Sequence, residues 1–163
     1  MQIIFSPELT TLLISALPFI ELRGALPLAV SYFHFSWPKA FVLSVAGNIL
    51  AVLLVLFLVE KISDFLREHS RWWQRFFDWL FQRTRRKAKA TIDKYGQWGL
   101  YILVAIPLPM TGGWTGALAA FLFGLEKKRA ALIISAGIVT AGLIVSLLTL
   151  GGNNIVAGFR RIF

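Results

Sequence analysis

Cysteine is absent from the 163 residues, which excludes disulfides, thiolate metal sites and cysteine nucleophiles without reporting a redox compartment. Histidine occurs only as His34 and His69, 35 positions apart. There is no HExxH, GxSxG or Walker-type loop. An enzyme has little to stand on, and neither a metal nor a cofactor is expected. Charge is scarce as well: 15% of residues are charged against 57% hydrophobic, with a mean hydropathy of +0.70. Those values lie beyond an ordinary soluble domain and place the chain in a lipid bilayer.

What is present is long apolar sequence. A membrane span takes about 20 apolar residues, and Ala40 to Val59 and Ala130 to Leu150 each supply that length without a charge. An earlier run makes a poor secretory signal, because Glu8 precedes it, no Lys or Arg does, and Pro18 and Glu21 interrupt it. It is expected to stay in the mature protein. Two further stretches are broken: Leu9 to Phe35 by Pro18, Glu21, Arg23, Gly24 and Pro27, and Trp98 to Leu125 by Pro107, Pro109, Gly112, Gly113 and Gly116. Proline removes a backbone donor and clashes one turn back, and clustered glycine weakens what remains. Each stretch therefore reads as two half-length helices joined by a tip. Irregular backbone at membrane depth is tolerated only inside protein or a wet cavity, so the tips are expected to be buried in protein.

Charge sets the expected topology. Residues 60 to 97 carry ten Lys and Arg, and "EKKR" at 126 to 129 carries three more, together thirteen of seventeen. By the positive-inside rule both segments face the cytoplasm. They share that side only if 98 to 125 enters and leaves there, as a re-entrant hairpin. By the same logic 9 to 35 dips from the opposite face, leaving both ends outside. The arginines of "FRRIF" mildly oppose this, and the alternative makes 98 to 125 a true crossing.

Internal repetition favours the hairpin. A shift of 90 residues lays "KAFVLSVAGNILAV" (39 to 52) over "RAALIISAGIVTAG" (129 to 142), and a further two-residue shift aligns "GAL" at 24 to 26 with "GAL" at 116 to 118. Each half reads broken hairpin, basic residue, crossing helix, and one crossing between them inverts the second copy. Inverted repeats with discontinuous helices are a transporter architecture with a midplane site. The expected fold is an all-α polytopic integral membrane protein in three parts: repeat 1 at 1–59 (hairpin 9–35, transmembrane helix 38–59), a basic aromatic segment at 60–97, and repeat 2 at 98–163 (hairpin 98–125, helix 130–152).

"PFIELRGALPLA" and "IPLPMTGGWTGALAA" resemble the paired signatures of the small multidrug export protein family of prokaryotic membrane proteins, and the likeness runs over nearly the whole chain. That family is distantly similar to the DedA group, with two opposed re-entrant hairpins and roles in proton-linked export or lipid-phosphate translocation. The resemblance implies a transporter whose functional elements are the Glu21–Arg23 motif and the Pro107–Gly116 motif.

The residues themselves point the same way. An ionised side chain near the bilayer centre costs about 3 kcal/mol or more, so Glu21 is expected to face a cavity, pair with a cation or bind a proton. Burial and the nearby Arg23 act on its protonation in opposite senses, so substrate arriving at Arg23 would alter it. The plainer account is a permanent ion pair. In the second motif the helix starting near Thr111 to Gly116 would aim unpaired N–H groups at an anion. Thr111 and Thr115 would cap that helix or touch substrate, and Trp114 would line the cavity or pack with its indole N–H on a hairpin carbonyl. Asn48, in the first crossing helix, suits an interhelical hydrogen bond. Within 60 to 97, arginines interleave with Trp72, Trp73, Phe76, Phe77 and Trp79 at helical spacing. That segment is expected as an amphipathic helix on the anionic inner leaflet, or as a helix pairing with a second protomer, since 62, 65, 69, 72, 76 and 79 fall at heptad positions. Nucleic acid is not expected as a partner. What the resemblance implies as substrate is a small molecule or a lipid-linked phosphate, and the competing class is a protein that scrambles or shapes lipid without transport.

Overall fold

A computed structural model describes residues 6–107 and 111–162, apart from the side chains of Arg67 and of 152–162. Among the described residues the chain forms seven helices: α1 (Pro7–Ala16), α2 (Glu21–Ser31), α3 (Trp37–His69), α4 (Arg71–Tyr95), α5 (Gln97–Ala105), α6 (Gly113–Leu122) and α7 (Lys127–Ile162). Local chemistry explains several boundaries. Ser6 caps α1 by accepting from the Leu9 amide at 3.3 Å, with Pro7 in the first turn. Gly96, at φ +57°, makes the abrupt corner from α4 into α5 that a side chain would strain.

Two helical segments are long and apolar enough to cross a bilayer, Trp37–Leu66 and Lys127–Gly151. On α3, Val42, Leu50 and Leu54 face outward, as do Leu132, Leu147 and Leu148 on α7. In water such faces would be costly to expose, whereas lipid covers them. The chain is a membrane protein. Helices α1, α2, α5 and α6 have 10, 11, 9 and 10 residues. At 1.5 Å rise per residue each reaches about 15 Å, half of a ~30 Å hydrocarbon core.

The two halves pack alike. Helices α1 and α2 pack on each other and on α3, α5 and α6 on each other and on α7, while α2 also reaches α7 and α6 reaches α3. Helix α5 starts at Gln97, 90 residues after Pro7 of α1, and α7 at Lys127, 90 after Trp37 of α3; α6 starts at Gly113, 92 after Glu21 of α2. The matched glycines do matched work: Gly47 lets α3 approach α1 at Leu12 and Ser15, and Gly137 lets α7 approach α5 at Val104 and Ala105. Two ion pairs tie opposite ends of α3, Lys39 to Glu8 at 2.6 Å and Glu60 to Lys127 of α7 at 2.9 Å. The 21 residues from Lys39 to Glu60 correspond to about 31 Å of helix.

The first long helix differs from the expected 38–59, since α3 continues to His69. Charges begin at Glu60, but no glycine or proline follows it before Ser70, so the helix has no reason to stop where the apolar run does. The break falls at Ser70, whose hydroxyl accepts from the Trp72 amide at 3.2 Å and starts α4. The heptad positions 62 to 79 therefore lie on two helices, not on one continuous stripe. One face of helix α4 packs on the rest of the protein: Phe77, Thr84, Ala88 and Ile92 are buried where it meets α3, α5 and α6. Trp72, Phe76 and Trp79 stay exposed beside that face.

Candidate functional site

Between α1 and α2 the chain turns through residues 17–20, with Pro18 in the turn, and resumes as helix at Glu21. Glu21 has φ +51°, a region that costs a side-chain-bearing residue of order 1–3 kcal/mol and persists only when its surroundings demand it. The demand is visible. Its carboxylate is 4% exposed and meets the start of α6: Oε1 accepts from the Trp114 amide at 3.3 Å, and Oε2 accepts from Arg23 at 3.1 Å. The N-cap of α6 is Gly112, which has no side chain to satisfy that helix's first amides, so a carboxylate from another helix supplies the negative charge. Gly112 sits at φ +134°, and a Cβ there would run into the Glu21 carboxylate. Only glycine lets the two tips close this far.

The return contacts run the other way. Arg23 also donates to the carbonyl of Thr111, and the indole Nε1 of Trp114 donates to the carbonyl of Ala16 at the end of α1, 3.2 Å away. The two tips thus exchange partners: charged groups of the first meet backbone groups of the second, and a side chain of the second meets the backbone of the first. Of the residues singled out in the sequence, Glu21, Arg23, Thr111 and Trp114 come together here. The anion expected at the start of α6 is Glu21 itself. Trp114 makes the carbonyl contact of its packing reading. The Thr111 hydroxyl donates back to the carbonyl of Ile106 at 3.4 Å.

Some expected tip residues lie elsewhere. Gly24 and Pro27 are inside α2, where Pro27 leaves the Arg23 carbonyl without its helical donor, and Gly116 is inside α6 against Val104 and Ile134. Gly113 is the first residue of α6 and Pro107 lies between α5 and α6. Pro109 lies outside the described residues. Asn48 is buried beside Gly113, yet neither its amide nitrogen nor its oxygen has a hydrogen-bond partner among the described residues, and the Ser44 hydroxyl one turn earlier is in the same condition. Among the described residues the interhelical hydrogen bond expected of Asn48 is not made, since the facing helix presents Gly113 and Trp114 turns its amide to Glu21.

Two cavities flank the tips. A small one, about 10 Å³, has Glu21, Arg23 and Asn48 in its wall, together with Gly113 and Ile138. A larger one, about 510 Å³, is bounded by Pro18 and Phe19 of the first tip, Thr111, Trp114 and Thr115 of the second, Val55 and Val59 of α3, and a face of α4. Its size is that of a cavity for a drug-sized molecule. Thr111 borders both. Sequence reasoning missed the backbone acceptors at Ala16 and Thr111, which carry no residue signature. It also missed Arg83 and Lys87 of α4, which line the large cavity and were legible only as two cations in a basic run.

No curated protein and no solved structure matches the chain. A family model does, over residues 21–144, a span that opens at Glu21 just after the first turn, takes in α2 through α6 with the described part of the second tip, and ends in α7. With three quarters of the sequence inside the match, the chain belongs to the family described as "Putative small multi-drug export protein".

Proposed function

We propose that the protein is a small transporter in which two opposed re-entrant hairpins, related as inverted repeats, carry a small molecule past the junction of their tips, with Glu21 as the proton-coupling group. The observation that carries this reading is the exchange of partners between Glu21 and Arg23 on one tip and Thr111 and Trp114 on the other. Protonating Glu21 would remove the charge that holds both Arg23 and the start of α6, so proton binding and separation of the tips become one event. The half-length helices, the 90-residue correspondence of element starts and the matched packing of the halves support the repeat. The pair Glu60–Lys127 supports a common side for the end of the first crossing and the "EKKR" segment, which makes α5 and α6 a hairpin from that side. We assign that side to the cytoplasm of the inner membrane, and the opposed hairpins are the arrangement attributed to the DedA group.

Topology is tested by single cysteines at Ser6, Lys89, Lys127 and Gly158 in the cysteine-free background, expected to label from outside, inside, inside and outside. Opposite accessibility of Lys89 and Lys127 overturns the hairpin. Transport is tested with purified protein in proteoliposomes across a substrate panel, with and without a pH gradient. Gradient-driven flux should disappear in Glu21→Gln while the protein still inserts; a variant that transports normally at every pH removes Glu21 from the mechanism. Scrambling or shaping of lipid, the other class, would appear as lipid exchange between leaflets that Glu21→Gln leaves unchanged.

A further inference from the structure

We propose that the small cavity beside the tips is a binding site for a single water molecule, held by the Asn48 amide next to the Glu21 carboxylate, and that this water hands the proton to Glu21. The water site stands on the cavity alone, whereas its part in proton delivery rests on the transport reading.

Asn48 is the starting point. It is 1% exposed on α3, and neither its Nδ2 nor its Oδ1 has a partner among the described residues. A buried amide costs free energy until something bonds to it. Asn48 borders the small cavity, whose wall also holds Glu21 and Arg23 of α2. Two neighbouring glycines open this space. A Cβ at Gly113 would stand 3.3 Å from the Asn48 Oδ1, and a Cβ at Gly112 would run into the Glu21 carboxylate. The amide and the carboxylate thus face adjoining residues of one glycine pair.

Size and charge name the occupant. A volume of about 10 Å³ is that of one water-sized sphere, too small for a substrate or a hydrated ion. Among the described residues the wall carries two charged groups, Glu21 and Arg23, both from α2. Helix α3 adds the neutral Asn48, α5 and α7 add Val104, Ile138 and Ala141, and the Thr111 hydroxyl is turned to the Ile106 carbonyl. A bare cation would meet Arg23 and a bare anion would meet Glu21. Water is neutral and both donates and accepts, which suits an amide with N–H and C=O and a carboxylate with lone pairs to spare. It also solves a problem of proton supply. The groups bonded to Glu21 are the Arg23 guanidinium and the Trp114 amide, and neither gives up a proton at ordinary pH, so the proton has to come from a third neighbour. Water in the cavity gives one proton to the carboxylate, takes one from the aqueous side, and is left unchanged.

The test looks for the water from the amide. Asparagine occurs only at Asn48, Asn153 and Asn154, so full-length protein carrying isotope-labelled asparagine in nonionic detergent gives three side-chain NH2 pairs in NMR, and the pair lost in Asn48→Leu belongs to Asn48. Cross-relaxation between that pair and a water held longer than the protein tumbles is expected. Ser44→Ala is the control: the Ser44 hydroxyl, one turn earlier on α3 and equally without a partner, exchanges its proton with solvent and would imitate a bound water. The signal should survive that change. Gly113→Ala places a Cβ beside the Asn48 Oδ1 and should abolish it; where that variant does not fold, Ala141→Val narrows the same cavity from α7. No signal in the unaltered protein, its loss in Ser44→Ala, or its survival in the filling variant overturns the water site. The proton role is read as flux in proteoliposomes. Asn48→Leu keeps the size of the side chain without donor or acceptor and should lower gradient-driven flux about tenfold or more. Unchanged flux in Asn48→Leu, where Glu21→Gln abolishes it, overturns that role. Normal flux in Glu21→Gln removes the transport reading instead and leaves the water site standing.

Discussion

The two tips occupy matching places in the two halves and carry opposite kinds of chemistry. The first offers formal charges, Glu21 and Arg23, on a turn anchored by Pro18; the second offers dipoles, the Trp114 amide and the Thr111 carbonyl, on backbone opened by Gly112. A carboxylate meets an N–H group and a guanidinium meets a carbonyl, so neither tip is satisfied alone. An intramembrane ion pair left to itself scarcely repays the desolvation of its members, whereas one that also satisfies a helix terminus and an orphan carbonyl does better. The difference between the tips is thus what makes them complementary. It also concentrates the stability of the junction in a few contacts.

The largest effect is expected from removing the charge on the first tip. Glu21→Ala leaves Arg23 partly buried without its carboxylate and the start of α6 without an acceptor, a loss on the order of 3–5 kcal/mol. Thermal unfolding in detergent should show it as a large fall in Tm or as failure to accumulate. Glu21→Gln keeps an acceptor for one amide and should cost less, and adding Arg23→Gln should restore part of the loss, because the unpaired cation goes too. A double variant less stable than Glu21→Gln would mean the guanidinium is held by the Thr111 carbonyl independently of Glu21.

Breaking the junction from the second tip should come next. Gly112→Ala forces a residue with a side chain to φ +134° and pushes its Cβ against the carboxylate, about 1–3 kcal/mol for the backbone alone. The expected readout is again Tm, with greater protease access at the tip. Gly124→Ala is the contrast: its φ is +64° but its Cβ position is open, so it should lose less. Equal losses would mean that backbone strain, and not the approach to Glu21, is why glycine stands at 112.

How much of this was legible follows from which groups carry a signature in sequence. The crossings were, since an apolar run without charge writes its length directly, and so were the interruptions, because Pro18 and Pro107 cannot continue an ordinary helix and clustered glycine at 112 to 116 weakens one. The positions of the breaks were less so. Pro27 and Gly24 sit within α2, where neighbouring helices make an imperfect helix tolerable, and α3 outruns its apolar segment because charge marks the membrane boundary and not the helix end. That Glu21 and Arg23 share one site with the second tip is an expectation of the sequence; which atoms of residues 111–114 they meet is not. Their partners are backbone atoms, and every residue type has those.

Trp114→Phe removes one return contact, the indole bond to Ala16, while keeping an aromatic body in the cavity wall. A loss of about 1 kcal/mol is expected from the hydrogen bond. A smaller effect still is expected at the outer end of α3. Lys39 holds the Glu8 carboxylate below its usual range, so this pair supports the fold above the ordinary glutamate range and ceases to as pH falls through the lowered value. Both partners are well exposed, and Lys39→Gln should therefore flatten the acid end of the stability profile only slightly.

The smallest stability change is expected at a deeply buried polar residue. Asn48 is 1% exposed and its amide is unpartnered among the described residues, so no protein group among them offsets the desolvation of that amide. Its counterpart 90 residues on, Ile138, is apolar and borders the same small cavity. Asn48→Ala deletes the unsatisfied amide and a little packing volume, two effects of opposite sign, and Tm should move by the equivalent of about 1 kcal/mol or less in either direction. Flux decides what the residue is for. If gradient-driven transport falls while Tm holds, the amide serves the proton or a water beside Glu21, a role that the comparison of the tips does not include. If both are unchanged, coupling is confined to the contacts between the tips. A fall in Tm of several kcal/mol equivalents would show that the amide has a partner in the working protein, and the small cavity would then have to be counted as part of the junction.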